Sequence, residues 1–219
     1  MVDPRITKMA AILVDHSTYI KEGDRVAIEA TTAAAPLVGA LYARILERGG
    51  HPHLILDLPD QDEILFQYAS DAQLGFTPTF RKLAYDQFES RIRIHSLTNT
   101  RALSSVDPAR QRKHQAALSP ILETQMRRGA DKSFKWVTTL FPTEGYAMEA
   151  EMSQKQFEDF VFNAVHANQE DPIAFWNETK IKQQKMVDLI QGHDKVTLKG
   201  PNVDLALSVK GRTFVNCYG

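Results

Sequence analysis

A single cysteine, Cys217, stands among the 219 residues. That scarcity excludes an internal disulfide and a cysteine-based zinc site within one chain, and it fits a reducing compartment. Long apolar runs are also missing. No stretch approaches the roughly 18 uninterrupted apolar residues of a membrane span. The start carries Asp3, Arg5 and Lys8 rather than the apolar run of a signal peptide, so the expected location is cytoplasmic, with no membrane partner. Neither sign of charge dominates: 26 Lys and Arg oppose 27 Asp and Glu, which removes the electrostatic case for nucleic acid.

Several catalytic signatures are absent as well. The first strand-to-helix joint reads Glu29-Ala-Thr-Thr-Ala-Ala-Ala-Pro36, without Gly-x-Gly-x-x-Gly or Gly-Lys-Ser/Thr. A backbone clothed in alanine cannot approach a pyrophosphate as closely as one of glycine, which argues against a dinucleotide or nucleoside triphosphate. There is no His-Glu-x-x-His and no Gly-x-Ser-x-Gly. His51 and His53 share a strand face, yet no third ligand lies nearby, and catalytic zinc needs three. A helix-to-strand joint with surface histidines is the better reading.

What is present is the grammar of an α/β protein. Asp3-Pro4 opens a helix, with Asp as N-cap and Pro at the first helical position. Ile6, Met9, Leu13 and Ile20 fall on one helical face. A strand over 25–30, a helix from Pro36 stopped by Gly49-Gly50, and a strand over 53–58 make a βαβ unit, and such units build parallel sheets. Further strands are predicted over 91–97 and 134–140, and helices near 61–69, 79–86 and 107–128. Ser153-x-x-Gln156 reads as a capping box, and Asp171-Pro172 starts a helix that runs to Gly192. The fold class is therefore α/β, a largely parallel sheet with helices on both faces.

After Gly192 the apolar period changes from helical to alternating. Val203, Leu205, Leu207 and Val209 alternate with polar residues, and Lys210-Gly211 reads as a turn into a strand with Thr213, Val215 and Cys217. This places a domain boundary near residue 192, with 1–192 as the α/β domain and 193–219 as the first antiparallel strands of a second. Three short strands cannot cover their own apolar face.

Two loops that follow strands carry candidate ligand contacts, because open parallel sheets bind ligands outside the carboxyl ends of their strands. They supply Asn99, Thr100 and Arg101, and Glu144 and Tyr146. Arg101 has the fork to hold a carboxylate, and Glu144 could pair with an ammonium. Asn, Thr and Arg also cap helices and tie down loops. The basic run Arg110, Arg112, Lys113, His114, Arg127 and Arg128 is better read as a solvated helix face than as a nucleic-acid surface.

These loops belong to longer motifs. "TNTRALSSVDPARQ" (98–111) and "WVTTLFPTEGYAMEAEMSQKQFEDFVF" (136–162) resemble the N-terminal domain of the thermophilic metallo-aminopeptidase family, of the aminopeptidase T and aminopeptidase S type. The opening 3–30, "DPIAFW" (171–176) and "DLALSVKGRTFVN" (204–216) resemble it in the same order. The resemblance implies a homodimeric enzyme that releases amino acids from peptide N-termini. It also implies two divalent metal ions (cobalt, zinc or magnesium), held in a C-terminal domain, that polarise the scissile carbonyl and activate a bridging water. The family's metal-ligand motifs begin after the strand matching "GRTFVN", so no catalytic or metal-ligating residue is expected within 1–219. On this reading the chain is the N-terminal part of the enzyme, inactive alone, serving as cavity wall and dimer support. Asn99, Arg101, Glu144 and Tyr146 are its substrate-binding candidates. The alternative is a stand-alone α/β module that binds a small anion through Asn99 and Arg101.

Overall fold

The computed structural model describes residues 3–218. The chain divides into two compact units, one up to Glu170 and one from Asp171 on.

The first unit is built on a four-stranded sheet. Its strands are β1 (Arg25–Thr31), β2 (His51–Asp57), β3 (Ser90–His95) and β4 (Lys135–Leu140). All three pairings are parallel, in the order β2-β1-β3-β4. The helices are α1 (Pro4–Ala11), α2 (Ala35–Glu47), α3 (Gln61–Tyr68), α4 (Asp71–Leu74), α5 (Thr79–Gln87), α6 (Pro108–Ala130), α7 (Glu144–Glu149) and α8 (Gln154–Ala164). Strand β1 is central and buried along its interior, with Val26, Ala27 and Ile28 at most 1% exposed. Successive side chains of a strand point to opposite faces. Ala27 packs with Ala84 and Tyr85 of α5, Ile121 of α6 and Phe134. Val26 and Ile28 take the other face, and α2 packs on β1 and β2. The α/β class with helices on both faces is what the periodicity implied.

Local signals account for most element ends. Asp3 Oδ1 accepts from Arg5 N at 2.9 Å and caps α1. The Ser153–Gln156 box closes on α8, with Gln156 N donating to Ser153 Oγ at 3.3 Å and Ser153 N donating to Gln156 Oε1 at 3.1 Å. Gly49, at φ 75°, ends α2 in the left-handed region that glycine enters cheaply. One departure follows α1. Residues Ile12–Ser17 form a wide turn of π type, with Thr18 N donating to Leu13 O. The wider turn rotates the buried face, so Ile12, Leu13 and Val14 are all buried in succession.

The amino ends of β1, β3 and β4 meet at Glu89. Its carboxylate accepts from Arg25 N at 2.8 Å and pairs with Arg25 Nη2 at 2.7 Å. The Arg25 side-chain hydrogen bond, which outweighs burial, lowers the Glu89 pKa from 4.5 to about 2. A carboxylate with a depressed folded pKa stabilises above its unfolded value and loses that contribution as pH falls through the folded one. The melting temperature should therefore drop between pH 5 and pH 2, and Glu89→Gln should flatten part of that drop. An identical slope in the variant would remove Glu89 from the acid response. The pair is partly exposed, so solvent screening makes the effect modest.

The second unit holds α9 (Pro172–Ile190), β5 (Lys195–Gly200) and β6 (Val203–Ser208). Asp171 Oδ1 caps α9 by accepting from Ala174 N at 2.9 Å. β5 and β6 pair antiparallel, with Leu198 opposite Leu205. The third strand expected through Thr213, Val215 and Cys217 does not form. Residues 212–218 are irregular, and their contacts go to α9 instead: Asn216 Nδ2 donates to Lys180 O at 3.0 Å, and Lys180 Nζ lies 4.4 Å from the Tyr218 ring centroid. Alternation in sequence makes a strand only where a neighbour offers main-chain partners.

Candidate functional site

Going along the chain, β2 lies on one side of β1 and β3 on the other. The sheet therefore changes direction between β1 and β3, and the carboxyl ends of those strands form the crevice where open α/β sheets bind ligands. Main-chain pairing of β1 with β3 runs only to Glu29 opposite Arg93. Beyond it the strands are joined through a side chain, with Thr31 N donating to Ser96 Oγ at 3.1 Å and Thr31 Oγ1 to Ser96 O at 2.8 Å. A cleft of about 280 Å³ opens here, lined by Glu29, Asp57, Arg81, Arg93, His95 and neighbouring apolar residues.

The floor of this cleft is charged. Glu29, on the central strand, is 3% exposed, and Arg91 is 2% exposed. Glu29 Oε2 accepts from Arg93 Nε at 2.8 Å and from Tyr85 Oη at 3.3 Å. Tyr85 Oη in turn accepts from Arg91 Nη1 at 3.2 Å and Arg93 Nη2 at 2.9 Å. Arg81 Nη2 donates to Asp57 at 2.9 Å. Burial, then the Glu29 charge, raises the Tyr85 pKa. Burial lowers that of Arg91, whereas at Arg93 burial is the largest single effect but is outweighed by Glu29 and Tyr85 together, and the net shift is upward. Burial followed by the charges of Arg93 and Arg91 pushes His95 below its usual value. Three buried atoms of this cluster stay without a hydrogen-bond partner, Glu29 Oε1, Arg81 Nε and Arg91 Nε, and the first two face each other as an ion pair at 3.7 Å, beyond hydrogen-bond reach. A group that carries both a donor and an acceptor would satisfy the two together.

The residues singled out from sequence lie on the same edge of the sheet, after β3 and β4. Asn99 Oδ1 accepts from Arg101 N at 3.0 Å. Arg101 Nε donates to Glu149 Oε1 at 2.8 Å, and Thr100 Oγ1 donates to the same oxygen at 2.9 Å. Tyr146 Oη accepts from Leu97 N at 3.3 Å. Glu144 sits exposed in the first turn of α7. Thr100, Arg101 and Tyr146 thus knit the two loops together while Asn99 folds its own loop, and a ligand at Arg101 would compete with Glu149.

The basic run on α6 fastens the fold. Arg110 Nη2 donates to Ala69 O at 2.7 Å, Lys113 pairs with Asp71 at 3.0 Å, and Arg128 Nη1 donates to Tyr85 O at 2.7 Å. The His53 ring packs 4.6 Å from that of Phe88. Among the described residues, no group of three or more His, Cys, Asp or Glu side chains is placed to hold a metal ion. Among the same residues, no helix is long and apolar enough to cross a membrane.

The family model described as thermophilic metalloprotease (M29) matches residues 2–219. The chain belongs to that family. Among solved structures, the one described as wild-type AmpT from Thermus thermophilus matches with a TM-score of 0.76 at 17% identity. The alignment covers 93% of this chain and 53% of that one, so the M29 chain described here spans about half of that neighbour's length. The likeness shows the shared fold. A comparison with curated proteins finds none that matches. The donor set described above does not fit the metal that a metalloprotease implies, so no catalytic step is derived for these residues.

Sequence reasoning passed over Glu29, Arg81, Arg91 and Arg93. The available signal was Glu29 within the apolar run Val-Ala-Ile-Glu-Ala, since an unpaired carboxylate is costly in a central strand.

Proposed function

We propose that this chain supplies the N-terminal part of a metal-dependent aminopeptidase that hydrolyses residues from peptide N-termini. The observation that carries this reading is the metalloprotease family match over 2–219. Two features support the division of labour. The chain spans 53% of its structural neighbour, and its described residues assemble no metal-binding group. On this reading residues 193–219 open the catalytic domain, and two divalent ions, cobalt, zinc or magnesium, are held by residues other than those described. The α/β unit then walls the active-site cavity and supports a homodimer. The loops bearing Asn99, Arg101, Glu144 and Tyr146 form the rim that meets the peptide.

The test uses leucyl amide with Co²⁺ or Zn²⁺. The 219-residue chain alone is expected to show no turnover that a chelator abolishes. A version extended along the reading frame to the length of the structural neighbour is expected to release leucine in a chelator-sensitive way. Chelator-sensitive turnover by the 219-residue chain would overturn the claim that the metal chemistry lies elsewhere. An extended protein that loads metal but releases nothing would overturn the aminopeptidase reading.

A further inference from the structure

The cleft at the β1–β3 crevice carries polar groups of a specific arrangement. Glu29 Oε1 is a buried acceptor without a donor, and Arg81 Nε is a buried donor without an acceptor. Both residues line the cleft. A simple anion would satisfy Arg81 but meet the Glu29 carboxylate with like charge. A simple amine would satisfy Glu29 but meet Arg81 and Arg93. An ammonium and a carboxylate borne by one carbon match both, because the two atoms form a loose ion pair only 3.7 Å apart with neither hydrogen bond made. Arg93 stands beside them with one-third of its side chain exposed, and its Nε and Nη2 are committed to Glu29 Oε2. Asp57, which accepts from Arg81 Nη2 at 2.9 Å, and Asp62 add two more carboxylates to the lining, so Nε is the Arg81 donor left for a ligand, and Leu58, Leu97 and Leu118 supply apolar surface for a side chain. At about 280 Å³ the cleft suits a ligand smaller than the drug-sized molecules that fill roughly 300–1,000 Å³.

We propose that this cleft binds a free α-amino acid with an aliphatic side chain, its carboxylate on Arg81 and Arg93 and its ammonium on Glu29. The site stands on this geometry whether or not the peptidase reading holds. Where that reading holds, the ligand is of the class the reaction releases, and the cleft is a product-sensing site.

Calorimetric titration of the 219-residue chain with L-leucine tests it. Saturable binding at one site is expected, with Kd roughly millimolar, as befits a small ligand making a few charged contacts. 4-Methylpentanoate, which lacks the ammonium, and 3-methylbutylamine, which lacks the carboxylate, should each bind at least about tenfold more weakly, the cost of one unpaired buried group. Inorganic phosphate should not compete. Arg81→Gln, with its fold checked by circular dichroism, should weaken leucine at least about tenfold. Absence of saturation with leucine would overturn the proposal. So would phosphate or 4-methylpentanoate binding as tightly as leucine, or a folded Arg81→Gln with unchanged affinity. The ligand series needs no variant, so it decides the matter even if Arg81→Gln fails to fold.

Discussion

Glu29→Ala is expected to destabilise the chain by about 3–5 kcal/mol, the range found when one partner of a buried ion pair is removed. Glu29 is the one carboxylate that Arg81, Arg91 and Arg93 all approach, at 3.7, 3.9 and 2.7 Å. Taking it away leaves Arg91 buried against Tyr85 and Thr138 without a counter-charge, and deprives Tyr85 Oη of its acceptor. The desolvation of the guanidinium is then uncompensated. Urea denaturation measures the loss. Glu47→Ala is the matched control, because Glu47 is 61% exposed in its pair with Arg44 and should change stability by no more than about 0.5 kcal/mol. A Glu29→Ala loss below 1 kcal/mol, by order of magnitude, would mean that water reaches the cluster and the charges are solvated.

Gly145→Ala is expected to cost about 3 kcal/mol, at the upper end of overpacking penalties. A Cβ at Gly145 would lie 2.4 Å from Thr98 O and 2.7 Å from Thr98 C. Those are backbone atoms, so no side-chain rotation can relieve the clash. The loops after β3 and β4 must separate, which also strains the Tyr146–Leu97 and Thr143–Leu97 hydrogen bonds. Gly39→Ala in α2 is the control. Its Cβ would meet nothing within 4 Å, and alanine in a helix should gain about 0.5–1 kcal/mol. Thermal denaturation of the two variants should move in opposite directions. A Gly145→Ala protein as stable as the parent would show that the two loops are not held at backbone contact.

The parallel sheet could be read from periodicity because its elements are bounded by local chemistry. Asp3-Pro4, Gly49-Gly50, Ser153 with Gln156, and Asp171-Pro172 mark ends with groups that satisfy main-chain donors or accept unusual φ values. The short helices α4 and α7 were harder to read. α4 has its own Ser70–Gln73 capping box but only four residues, too few for an apolar period to show. The strand expected near Thr213, Val215 and Cys217 failed for another reason: alternation encodes a face, not a neighbour to pair with.

The site divides along the same line. Sequence alone placed the loops bearing Asn99, Arg101, Glu144 and Tyr146 directly after strands, because the succession of elements and loop composition are local properties. It also carried the family motifs of a metalloprotease. It could not show that Arg101 is held by Glu149, since that contact joins loops 48 residues apart. Nor could it show the charged floor. Arg91-Ile-Arg-Ile-His95 alternates like a strand with one face in water, yet that polar face lies under α5 and α6 against Glu29. Whether an alternating face meets solvent or protein depends on what packs over it. That is decided by the crossing of β1 to β3 and the helices this crossing lays across the sheet, so only the tertiary structure gathers Arg81, Arg93 and Glu29 at one cleft with Arg91 buried beneath them.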